Sequence, residues 1–131
     1  MPKKETSRTK EIKIAPSDIA KMTEDGIGEA LRLIRDQAKL VQTRKQLDEL
    51  QELRAELNER LDQFLNIHMD ALDRHPEVSQ IIEELTGIAL GVEVAVKEIR
   101  SFKSAVEKGT EILGYADRFL KLLEEIGGVF F

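Results

Sequence analysis

VSQIIEELTGIALGVEVAVKEIRSFKSAVEKGTEILGYADRFLKLL, residues 78–123, carries two linked rows of apolar or small residues at seven-residue spacing. One row is Val78, Leu85, Val92, Ile99, Val106, Leu113 and Leu120. The other, three residues on, is Ile81, Ile88, Ala95, Phe102, Gly109, Ala116 and Leu123. No charged or amide side chain enters either row. Such a repeat, sustained over this length, predicts one long helix laid along a partner in a left-handed supercoil. The fold class is all-α.

Upstream, Pro76 sets the boundary. A proline inside a helix removes an amide donor and clashes with the preceding turn, yet it suits the first helical position. His75 before it is driven out of helical conformation. The chain is therefore expected to turn over 73–76 and to run as a helix over about 76–126, where Gly127 and Gly128 stop it. Before the turn a second stripe reads Leu33, Leu40, Leu47, Arg54, Leu61 and His68, beside Asp36, Thr43, Leu50, Leu57, Phe64 and Ala71. It predicts a first long helix over about 27–74, with Arg54 and His68 as polar residues that fix register in the core. Pro16, Ser17 and Asp18 form a helix-start signal for a short helix over 17–24, which Gly26 and Gly28 then weaken.

Each long helix would span roughly 70–75 Å at 1.5 Å per residue. A short link between equal amphipathic helices predicts a long antiparallel, coiled-coil-like hairpin. In it residue i lies near 150 − i, so that Leu61 meets Ala89. A two-helix seam needs only two apolar positions in seven, and the second helix has more. Ile82, Ala89 and Val96 flank the seam on one side near its start; Ala105, Ile112, Phe119 and Ile126 flank it on the other side near its end. A face this wide belongs to a bundle core. The expected solution is a homodimer, a four-helix bundle whose interface includes Leu90, Ile112, Phe119 and Leu122.

Composition bounds the function. The chain has 131 residues, a net charge of −5, no tryptophan and no cysteine. That excludes disulfides and thiolate metal sites, and it accords with the cytoplasm. Residues 1–15 hold five basic against two acidic residues and read as a flexible basic arm; the remainder, 16–131, is a single acidic helical domain. An acidic body argues against a nucleic-acid partner. Residues 1–13 lack the apolar centre of a secretory leader, and the longest apolar stretch, Gly87 to Val96, is about half the length of a membrane span.

No constellation points to catalysis. His68, Asp70, Asp73 and His75 cluster near the turn, but Ala71 and Leu72 occupy the intervening positions where further ligands would stand. Adjacent pairs such as Glu83 with Glu84 point about 100° apart on a helix. No nucleophile has a base and no glycine-rich loop follows a strand, so neither enzyme activity nor a cofactor is expected. Gly87, Gly91 and Ala95 at spacing four allow close helix approach. Beyond Gly127 and Gly128, the apolar tail ends in Phe130 and Phe131, two rings costly to leave in water. They are candidate anchors for a protein partner or a membrane surface, or a cap on the bundle itself. The sequence thus predicts a non-enzymatic helical interaction protein that binds itself and another protein. The alternative is a membrane-active bundle that inserts its second helix and its Phe-Phe tail.

Overall fold

Each expected long helix falls into three, and a short capping motif starts the longest piece of each. Thr43 accepts a hydrogen bond on its hydroxyl from the Gln46 amide, 3.1 Å away, and so starts a helix where a continuous one was expected. Ser101 and Ser104 form a reciprocal capping box: the Ser104 amide donates to the Ser101 hydroxyl at 3.2 Å, and the Ser101 amide donates to the Ser104 hydroxyl at 2.9 Å. The computed structural model describes residues 14–127 and 130, and these are helices and connecting turns throughout. The helices are α1 Pro16–Ala38, α2 Arg44–Leu65, α3 Met69–Arg74, α4 Pro76–Gln80, α5 Ile82–Lys97 and α6 Phe102–Glu125. Residues 1–13, with the expected basic arm, and Gly128, Val129 and Phe131 of the tail lie outside the described residues.

α1 is not a short helix over 17–24; it continues through Gly26 and Gly28. Gly26 is needed for contact, since a Cβ there would stand 2.5 Å from Val92 Cγ1 of α5. Pro76 opens α4 at its first turn, with His75 in extended conformation before it and its ring accepting from the Glu77 amide at 3.3 Å. The N-terminus of α1 is capped from a distance. The Ser17 amide and hydroxyl both donate to the Asp73 carboxylate of α3, at 2.9 and 2.7 Å.

The four long helices form a bundle within one chain. α1 adjoins α2 and α5, α6 adjoins α2 and α5, and α1 also meets α6 across the centre. Leu53 with Gly109, Arg60 with Asp117 and Phe64 with Phe119 keep a nearly constant difference in number, so α2 and α6 run parallel. Gly26 with Val92, and Ala15 and Pro16 beside Ser79 and Ile82, give the same result for α1 and α5. The two hairpins, α1–α2 and α5–α6, thus lie side by side, with both tight loops at one end and α3 and α4 at the other.

This corrects the expected single hairpin. α2 and α5 occupy opposite corners, so Leu61 and Ala89 do not form the predicted seam. It also corrects the reason for expecting a dimer. Ile112, Phe119 and Leu122 are buried by the chain's own helices, because α1 supplies the cover assigned to a second copy.

At the centre, a Cβ on Gly109 would lie 2.5 Å from Leu53 Cδ2, 3.3 Å from Leu53 Cγ and 3.1 Å from Ile34 Cδ1. Three helices meet there, and Gly109→Val should lower stability by about 1–3 kcal/mol through overpacking. Gly114 in the same helix has open space around its Cβ position, and Gly114→Ala should raise stability by up to about 1 kcal/mol through helix propensity. Urea unfolding of the two variants beside the parent chain checks both signs.

Candidate functional site

Buried and exposed residues alternate around α5 in two opposite seams. Leu85, Ile88, Val92 and Ala95 face the core. On the outer face, Glu83, Gly87, Leu90, Val94 and Lys97 follow one another at spacings of four and three, and all five are exposed. Leu90 is 49% and Val94 57% exposed, among the few large apolar side chains the described residues leave in water. Toward α6 the strip widens. Tyr115 lies across Gly91, where a Cβ would be 2.6 Å from its ring and 2.9 Å from its hydroxyl oxygen. Toward α1 it borders a shallow groove of about 420 Å³ lined by Met22, Asp25, Gly26, Glu29, Glu93, Val96 and Lys97.

Ion pairs frame this surface. At one end Arg118 of α6 donates to Glu84 at 3.1 Å. At the other, Lys108 bridges Glu98 at 3.0 Å and Glu111 at 3.2 Å, and its bonds to these two carboxylates, Glu98 foremost, hold its ammonium pKa above the ordinary lysine value. Glu83 and Lys97 have no ion-pair partner among the described residues. The surface is thus apolar in the middle, with Glu83 at one end and Lys97 at the other outside any ion pair among the described residues, and Glu93, likewise outside any such pair, on its α1 border.

The other sequence-nominated residues lie elsewhere. Of the five interface candidates among the described residues only Leu90 is exposed; Ile112, Phe119 and Leu122 are core, and Phe131 is outside the described residues. Phe130 is enclosed by its own chain. Its ring meets His75 edge-on with centroids 5.3 Å apart, and its carbonyl accepts from the His68 amide. His68 is not a core residue. It is exposed and precedes α3, because the chain leaves helical geometry after Leu65. Arg54 is half-buried on α2 with its Nε shielded from water and without a hydrogen-bond partner. In a hairpin where residue i lies near 150 − i, Arg54 would stand near position 96 and could pair with Glu93 or Glu98; α5 instead occupies the opposite corner of the bundle.

The cavities offer little chemistry. A groove of about 580 Å³ is lined by Ile14, Ala15, Pro16, Ser79, Ile82 and Thr86, and its Thr86 hydroxyl is already donated to the Ile82 carbonyl at 2.7 Å. Among the described residues no group of three or more histidine, cysteine or acidic side chains converges on a metal position. Nor is any described helix long and apolar enough to cross a membrane. The strip on α5 is therefore the feature of this molecule best suited to recognition. No protein-family model, curated protein or solved structure matches the chain.

Arg54 provides a check on the packing around α2. Replacing it with Met keeps most of the buried stem and removes the unsatisfied donor, and Arg54→Met should raise stability by about 1 kcal/mol. A higher midpoint in thermal and urea unfolding is the expected result.

Proposed function

We propose that the chain is a non-enzymatic helical interaction protein, an adaptor, chaperone or assembly component that works through self-association and partner binding. One observation carries this reading: the bundle buries its own wide apolar faces, yet α5 keeps Leu90 and Val94 in water beside Tyr115 on a surface flattened by glycine. Leaving large apolar side chains exposed forgoes roughly 1.5–3 kcal/mol apiece. Clustered exposure of this kind, rimmed by charge, is characteristic of recognition surfaces. The enclosure of Phe130 favours a protein over a membrane surface, because that half of the supposed lipid anchor is committed to the core.

The test separates stability from association. Leu90→Asp combined with Val94→Asp should leave helicity and the unfolding midpoint nearly unchanged, because neither side chain belongs to the core. The same variant should abolish concentration-dependent association of the parent chain in sedimentation velocity. A parent chain that stays monomeric up to millimolar concentration would remove the self-association reading.

A further inference from the structure

We infer that the outer seam of α5 binds a second copy of this chain, packed antiparallel about Leu90. The inference rests on the interaction-protein reading and adds the occupant and its geometry. Glu83 and Lys97 stand seven residues on either side of Leu90, carry opposite charge, and are unpaired among the described residues. Their neighbours Glu84 and Glu98 are already held by Arg118 and Lys108. Reversing the seam on itself sets Glu83 opposite Lys97 of the second copy, and the two-fold axis repeats that pairing at the other end. A parallel arrangement would instead set like charge against like. Charge therefore selects both the occupant and its direction.

Shape agrees with charge. The antiparallel alignment brings Val94 of the second copy against Gly87, where the space a Cβ would occupy is open. A branched side chain thus enters the gap the glycine leaves, twice by symmetry, while the two Leu90 side chains meet near the axis. Gly91, overlaid by Tyr115, continues the apolar strip toward α6. One helix face with its borders is a small contact, in the class of weak, concentration-dependent assemblies.

Charge reversal tests the register. Glu83→Lys and Lys97→Glu should each weaken dimerisation about tenfold in sedimentation equilibrium, by turning two attractive pairs repulsive. The double variant should return it to the parent level. Because the chain has no cysteine, Leu90→Cys should give a covalent dimer with a short bismaleimide. Leu65→Cys, 58% exposed on α2 at the opposite corner, should not. A double reversal as weak as the single ones, or equal cross-linking at both sites, overturns the antiparallel seam. Dimerisation that is still lost in the Leu90 and Val94 variant would, in either case, leave the broader interaction reading standing. Binding of the parent chain to phosphatidylglycerol vesicles without dimerisation in solution would assign the face to lipid and overturn the proposal.

Discussion

The bundle depends on how closely α6 can approach its neighbours at Gly109. With no side chain there, Leu53 of α2 and Ile34 of α1 reach the backbone of α6. Ala105, about one turn before it, and Ala116, about two turns after it, keep the same face of α6 shallow and are fully buried. α6 is therefore drawn inward until it meets α1 across the centre, and the cross-section becomes a flattened square. α1 and α6 lie on its short diagonal, while α2 and α5 are pushed to the outer corners. A corner helix buries less of its circumference than a central one. This is why α5, the most apolar of the long helices, has a seam left over for water, and why Leu65 on α2 is exposed as well.

Polar contacts also converge on α6. Asp117 bonds Arg60 of α2, and Arg118 bonds Glu84 of α5, so neighbouring residues of one helix turn reach both flanking helices. Lys108 secures the α5–α6 loop through Glu98. The bond from Asp117 raises the Arg60 pKa further above the ordinary arginine value, which leaves the guanidinium charged under all ordinary conditions. Such exposed pairs contribute at most about 1 kcal/mol each. Their main effect is to set the axial position of the parallel helices, for which apolar packing alone has little preference. Phe64 and Phe119, with ring centroids 5.1 Å apart, supply the apolar anchor beside them.

The all-helical class and the Pro76 boundary were legible because both rest on local chemistry. The breaks at 39–43 and 98–101 were harder to read. Across the second break the seven-residue rows appear continuous, with Ile99 followed by Val106. The buried seam nevertheless slips by one residue, from Leu85, Val92 and Ile99 to Ala105, Ile112 and Phe119. That slip was visible as a flank changing sides between Val96 and Ala105, and the two serines at 101 and 104 mark where it happens. Asp36 and Thr43 likewise interrupted the first stripe where α1 gives way to α2. Long-range arrangement was not legible at all. Four apolar faces can satisfy one another within a chain or between chains, and periodicity is the same in both cases. Leu90 was identifiable as apolar excess, but its companion Val94 acquires meaning only when the opposite face of α5 is known to be filled.

The bond between Ser17 and Asp73 joins residues 56 apart and has a consequence in time. Each hairpin closes through a short loop and can assemble from nearby residues, which favours rapid formation. The first turn of α1 has no cap of its own, since Ala15 offers no side-chain acceptor. The Asp18 and Ile19 amides donate to the Ala15 carbonyl within the turn, but the Ser17 amide gains its partner only when α3 swings back from the end of α2. During synthesis the Ser17 cap must therefore wait until Asp73 has emerged, and the same turn is the natural place for the finished bundle to begin to open.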